Sequence, residues 1–262
     1  MGFRTIAYSA TQGGAVTSLT AVTALADDSM TKIDSTHYKV PSQNLLIGLY
    51  AHGSALTRYQ IKTPSLAGNQ RVPVEVDEVD QTAATTATTA FPPFQDYEAD
   101  PVPLIAGEGI EADIICSGAA QTTVVVWLGD SSVSYVTGPV LPGVRATSAQ
   151  TLVANTWTNC TLTFDNQLPA GAYAVVGMEA FSATGQAARL AFPELGPRPG
   201  VIAGTQPSVR GQFFRTGNFR SESKTGNVSW GSFVQDSPPS VDFLAGAADT
   251  SETVIFDLVK IA

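Results

Sequence analysis

Short runs of alternating apolar and polar residues, separated by Gly, Pro, Asn and Asp, make up most of this chain. Val16-Thr-Ser-Leu-Thr-Ala-Val-Thr23, Met30-Thr-Lys-Ile33 and Trp157-Thr-Asn-Cys-Thr-Leu-Thr-Phe164 repeat with the period of two that belongs to strands. Asn44 to His52 and Ala172 to Phe181 are more continuously apolar and predict one strong strand each. Ala26-Asp-Asp-Ser29 reads as a turn, and Pro64 and Pro193 each end a strand-like segment, because proline lacks the ladder donor. No window sustains a convincing 3.6-residue pattern. Each half of the chain has room for about eight short strands, which predicts an all-β sandwich of jelly-roll or immunoglobulin-like kind.

The two halves echo one another. Ile47 to Leu66, IGLYAHGSALTRYQIKTPSL, lies without a gap on Val176 to Leu195, VGMEAFSATGQAARLAFPEL, at an offset of 129. The same offset places Ala112-Asp-Ile-Ile115 on Val241-Asp-Phe-Leu244, so that Asp113 meets Asp242. One further residue of gap sets Thr123 to Leu128 on Thr253 to Leu258. A shared offset across separated windows predicts two tandem β-sandwich domains related by internal duplication. The expected layout is an N-terminal arm over 1–15, a first β-sandwich over 16–128, a linker over 129–144 and a second β-sandwich over 145–262. Gly13-Gly14 would hinge the arm, and the Gly- and Pro-containing stretch from Gly129 to Val144 would join the domains. The copies differ most between the proline exit and the last hairpin, and long unequal loops are where specific contacts are expected.

Composition narrows the chemistry. Charged residues are 14% and hydrophobic residues 44% of the chain. The net charge of −9 opposes nucleic-acid binding by the chain as a whole, since phosphate neutralisation needs surplus Lys and Arg. The charge is uneven: residues 1–131 carry 6 basic and 14 acidic side chains, and residues 132–262 carry 8 and 9. Cys116 and Cys160 are the only cysteines, which excludes a disulfide framework and reads as two buried small hydrophobes. MGFRTIAYSATQGG has no apolar core of a secretory leader, Ile6 stands where a myristoylation signal needs Ser or Thr, and no apolar run reaches membrane-span length.

Catalytic residues are scarce. His37 and His52 are the only histidines, with Asp34, Ser35 and Ser54 near them in sequence, and no G-x-S-x-G elbow accompanies them. Zinc-ligand spacings, a Walker A motif and G-x-G-x-x-G are all missing from the sequence. The expectation is a protein that is not an enzyme and uses no cofactor. Glu75, Asp77, Glu78 and Asp80 form the one acidic cluster with the hard oxygen ligands calcium prefers, against the alternative of a solvated acidic edge. Arg198, Arg210, Arg215 and Arg220 form the basic region, interleaved with aromatics including Trp230. With Phe94 and Tyr97 in the matching loop of the first half, they are the candidate subunit-interface residues.

A tandem pair of all-β domains with unequal loops, an N-terminal arm and no catalytic set resembles the double jelly-roll major capsid proteins of tailless icosahedral viruses and bacteriophages. The repeated pair IGLYAHGSALTRYQIKTPSL and VGMEAFSATGQAARLAFPEL and the ADII/VDFL pair carry the resemblance. It implies a structural virion protein, made in the host cytoplasm and located in the capsid. Three such chains would form a pseudo-hexameric capsomer that tiles an icosahedral shell, with other capsid proteins as possible neighbours. A different class remains open on the residues alone: a tandem β-sandwich adhesin or carbohydrate-binding protein, using Trp127, Trp157 or Trp230 as stacking platforms.

Overall fold

A computed structural model describes residues 3–53, 55–68, 94–97, 100–131, 134–192, 198–204, 222–223 and 226–262. The chain divides into two compact units, Thr5–Gly129 and Asp130–Ala262, the latter joined by Met1–Arg4.

The first unit takes its strands in the order β1 (Arg4–Gln12), β2 (Val16–Ala21), β3 (Thr23–Ala24), β4 (Tyr38–Lys39), β5 (Leu45–His52), β6 (Leu56–Lys62), β7 (Phe94–Asp96), β8 (Val102–Pro103), β9 (Gly109–Cys116) and β10 (Ala120–Gly129). One sheet runs β3-β1-β10-β5-β7, with β8 also on β5. In the other, β9 is the central strand, flanked by β2, β4 and β6. Side chains alternate across each strand, and the inward set, including Ile6, Tyr8, Leu49, Tyr59, Ile114 and Val126, packs into one core. Pro64 leaves the sheet as expected. It opens a single helical turn, α1 (Pro64–Gly68), whose Leu66 amide donates to Thr63 Oγ1 at 3.2 Å.

The second unit continues with β11 (Tyr135–Val136), β12 (Val140–Ser148), β13 (Trp157–Cys160), β14 (Thr163–Phe164), β15 (Ala172–Phe181), β16 (Gly185–Ala191), β17 (Gly200–Gly204), β18 (Glu222–Ser223), β19 (Gly226–Val228), β20 (Gly231–Val234), β21 (Ser240–Ala245) and β22 (Glu252–Lys260). Here β12, β22, β15 and β20 neighbour one another in that order, and so do β13, β21, β16 and β17. First strand beside last, and second beside last but one, is the jelly-roll order. The described strands of the first unit follow it too, with β1, β10, β5 and β7 in one sheet and β2, β9 and β6 in the other.

The agreement extends to register. Across β5 and β10, Gly48 faces Trp127 and Leu46 faces Leu128, leaving Ile47 as a bulge. Across β15 and β22, Gly177 faces Asp257 and Val175 faces Leu258, leaving Val176 in the same role. The β6·β9 ladder pairs Leu56 with Cys116, skips Thr57 and pairs Gln60 with Asp113. The β16·β21 ladder pairs Gly185 with Ala245, skips Gln186 and pairs Arg189 with Asp242. An extra residue turns every later side chain of a strand to the opposite face, so matching bulges keep the same positions inward in both units.

Three expectations need correction. Residues 5–15 belong to the first unit and do not form an arm. Ile6, Ala7 and Tyr8 are fully buried in β1, which lies between β3 and β10, and the Tyr38 hydroxyl reaches the Ala7 carbonyl at 2.9 Å. The repeat missed this strand because β1 and β2 are joined by residues 13–15, whereas their counterparts β12 and β13 are joined by 149–156, so the constant offset is lost. The linker is shorter than 129–144, since β12 starts at Val140 and pairs it with Val259. Met30 to Ile33 makes only a single bridge, Lys32 to Tyr38, instead of a strand.

Candidate functional site

The register match brings one buried aspartate to the same place in each unit: Asp113, 2% exposed, and Asp242, 6% exposed. Burying a carboxylate is costly unless hydrogen bonds and a counter-charge replace water, so its surroundings are constrained. The two units meet that constraint differently.

In the first unit, Asp113 Oδ2 accepts from Gln60 Nε2 at 2.9 Å and pairs with Lys62 Nζ at 2.9 Å. Lys62 also pairs with Glu111 Oε1 at 2.5 Å, and Glu111 Oε2 lies 3.1 Å from His37 Nε2. His37 Nδ1 is 2.9 Å from Asp34 Oδ1, which also accepts the backbone amides of Thr36 and His37. Partial burial pulls the Lys62 ammonium down, but hydrogen bonds to Glu111 and Asp113 outweigh it and leave the group above the ordinary lysine value. Asp34 is held well below the usual carboxylate range, chiefly by the Thr36 amide and then by His37. The result is a charged chain across the sheet end. Both ring nitrogens of His37 face carboxylates, and Asp34 closes a local turn, so the neighbourhood of Asp34, Ser35 and His37 is built as a brace.

In the second unit, Arg189 replaces Gln60. Its side chain is 1% exposed, its Nε donates to Asp242 Oδ2 at 2.9 Å, and its guanidinium lies 4.2 Å from the centre of the Trp157 ring. Asn159 Nδ2 donates to Asp242 Oδ1 at 2.7 Å and to Ser240 Oγ at 2.8 Å. Ala191 and Ser240 pair across the ladder where Lys62 and Glu111 pair in the first unit. These short side chains cannot bridge, and a cavity of about 430 Å3 opens beside them. Its walls include Asn159, Leu162, Phe192, Arg198, Pro239 and Ser240.

Two contacts fix the walls. Gly231, at φ +152°, packs against Phe192 so closely that a Cβ would sit 2.6 Å from the ring. The Arg198 amide donates to the Phe3 carbonyl at 2.8 Å, and Phe3 packs edge-on against Trp230 with ring centres 6.4 Å apart. Arg198 Nε then lies 4.0 Å from Asp242 Oδ2, with 14% of its side chain exposed. Two guanidinium groups thus converge on one carboxylate.

Of the residues expected at an interface, Arg198 lies in this cavity wall and not in a solvated basic loop. Trp230 is corrected from surface anchor to core residue: it is 3% exposed, and its amide donates to Val175 at 2.8 Å. Tyr97 is half-buried against the first core, and burial raises its hydroxyl above the ordinary tyrosine value. Phe94 opens β7 opposite Tyr50. Arg210, Arg215 and Arg220, and the calcium candidates Glu75, Asp77, Glu78 and Asp80, lie outside the described residues. Among the described residues no three potential ligands cluster as a metal site, and no helix is long and apolar enough to cross a membrane. Cys116 and Cys160 are both free and buried; burial, then the charge of Glu252, pushes the Cys160 thiol up to about 12. Of the tryptophans, Trp127 and Trp230 are buried, and Trp157 is half-buried with Arg189 over one face of its ring. Asn159, Arg189, Ser240 and Asp242 were not singled out from the sequence as site residues. The signal was present in the repeat, where Lys62 aligns with Ala191 and Glu111 with Ser240.

No protein-family model matches the chain, and no characterised protein sequence matches it. Among solved structures, the chain is similar to the major capsid protein P2 from bacteriophage PM2, at 6% identity over 99% of this chain and 98% of that one, with a TM-score of 0.25.

Proposed function

We propose that this chain is a structural, non-catalytic protein that self-assembles into a shell, a viral major capsid protein carrying two jelly rolls that descend from one duplicated domain. The recurrence of one strand order, one pairing register and one pair of bulges in both units carries the reading. Two equivalent folds in a single chain let three chains present six similar blocks, a ring that tiles a curved lattice while the loops diverge. The chemistry of the first unit supports association. Residues 5–26 contain no charged side chain, β2 is exposed at Thr17 to Ala21, and among the described residues it pairs with β9 alone. Such an edge lacks the charges that usually deter strand pairing.

Light scattering on the purified chain, followed by negative-stain microscopy of the source material, tests the proposal. Trimers and closed particles containing this chain are expected. A chain that remains monomeric at high concentration and is missing from particles would overturn it.

A further inference from the structure

We propose that residues 149–156, which join β12 to β13, form a strap that is released when the buried carboxyl of Glu252 loses its proton. Two features that set the second unit apart from the first meet here. Glu252 aligns with Thr122, a buried residue whose hydroxyl lies 3.6 Å from Cys116 Sγ. The strap stands where residues 13–15 suffice to join β1 to β2. Glu252 is 1% exposed and pairs with Ser148 at the end of the β12·β22 ladder, where the strap begins. Neither carboxyl oxygen has a hydrogen bond. The Ser148 hydroxyl and the Gln150 amide face the group without reaching hydrogen-bond geometry. A neutral acid is tolerated in such a place, whereas a carboxylate there is costly.

The ionisable groups around it supply no counter-charge. Asp249, in the turn before β22, is pulled up by partial burial, but bonds from Ser182 and from the Thr250 and Ala183 amides outweigh this and keep it an anion. Burial, then the charge of Glu252, pushes the Cys160 thiol of β13 up to about 12, so it stays neutral. Asp242 of β21 is matched by Arg189. Arg145 of β12 and Glu179 of β15 sit opposite Ile255, on the other face of the sheet, and Arg145 is bound to Asp165. The strap itself contains no charged residue. Its attachment is slight: Leu152 is buried, while Thr151, Val153, Ala154 and Thr156 are exposed. The Leu152 amide donates to the Asp249 carbonyl at 2.8 Å and the Asn155 amide to the Ala245 carbonyl at 2.9 Å. Asn155, at φ 57°, then turns the chain into β13. Ionisation of Glu252 beside Asp249 therefore favours the state in which the strap lifts and water reaches the carboxylate.

Hydrogen exchange of the full chain, resolved amide by amide from about pH 4 to about pH 7 and corrected for intrinsic rates, tests the strap. Glu252 titrates at about 6 when closed in and at the ordinary 4.5 once exposed, so the closed strap is favoured fully below that range and loses ground across it. Protection of the Leu152 and Asn155 amides should therefore fall by about tenfold or more as pH rises through this window, and stay low above it. Glu252→Gln should hold their protection level across pH. Glu252→Thr, which writes in the residue of the first unit, should do the same and covers the case in which the Gln variant misfolds. In the wild-type chain both amides should also exchange faster than those of the β15·β22 ladder, because the strap lifts without unfolding of the unit. Flat protection of the wild-type strap across pH, a fall that persists in a folded variant, or strap amides that match the ladder amides at every pH would each overturn the proposal. Exchange is read on whatever oligomer is in solution, so its outcome is independent of whether the chain builds a shell.

Discussion

Replacing Arg189 with leucine isolates what the buried pair contributes. The substitution leaves Asp242 with Asn159 at 2.7 Å and Arg198 at 4.0 Å, and removes both the 2.9 Å hydrogen bond and the guanidinium over Trp157. At an effective dielectric near 20, unit charges about 4 Å apart interact by about 4 kcal/mol, and stripping one partner from a buried pair costs about 3 to 5 kcal/mol. Arg198 stands close enough to recover part of this, so about 3 kcal/mol is expected, with a further ~1 kcal/mol for the lost ring contact. Urea denaturation followed by tryptophan fluorescence measures it, and Trp157 reports on the site directly. Arg189→Leu/Asp242→Leu should recover part of the loss, because the stranded carboxylate is removed, although Arg198 then loses the carboxylate it faces at 4.0 Å. The matching change in the first unit, Gln60→Leu, should cost only about 1 kcal/mol, since Lys62 still neutralises Asp113 at 2.9 Å. A single Arg189→Leu variant within 1 kcal/mol of wild type, or a double variant no more stable than the single, would refute the reasoning.

Two further outcomes follow from buried groups. Glu252 is 1% exposed, and burial, then the charge of Asp249, raises its carboxyl from 4.5 to about 6. The folded state therefore holds its proton more tightly than the unfolded chain, stability falls as pH rises from about 4.5 to about 6, and the deficit persists above that range. Glu252→Gln should stabilise the protein by about 1 to 2 kcal/mol at pH 7 to 8 and by nothing at pH 4, after allowance for solvent screening, as read from urea midpoints across pH. Gly231→Ala places a methyl 2.6 Å from Phe192 at a φ of +152° and should cost about 2 to 4 kcal/mol by the same assay.

The sequence carried the fold further than the site. Alternation found several of the strands, and the offset of 129 aligned β6 with β16 and β9 with β21, whose ladders match residue for residue because register follows from which residues face inward. The one-residue gap placed before Thr253 is what β10 and β22 require, as each starts its pairing one step apart relative to that offset. β1 escaped because loop length between strands is free to vary on a surface, and an offset cannot follow a loop that changes. Trp230 was misplaced for a related reason: its neighbours in sequence are polar, yet it is buried by Phe3, a residue more than two hundred positions away. Contacts of that range leave no local pattern to read.

The cavity shows why divergence between the copies is more informative than their agreement. Positions that coincide, such as Gly48 with Gly177 or Ile47 with Val176, are answers to the same packing problem and identify the fold. Asp113 and Asp242 also coincide, but a buried carboxylate demands a partner, and the partner is where the copies part. Once Arg189 supplies the counter-charge from within the sheet, Asp242 no longer needs a lysine at the ladder end, and position 191 is released from the role that Lys62 plays at its counterpart. With no lysine there, an acid at position 240 would lose the partner that Glu111 has, and Ser240 stands in its place. The cavity thus lies where the two units neutralise the same buried charge in different ways, and Arg198 reaches its wall from a separate segment.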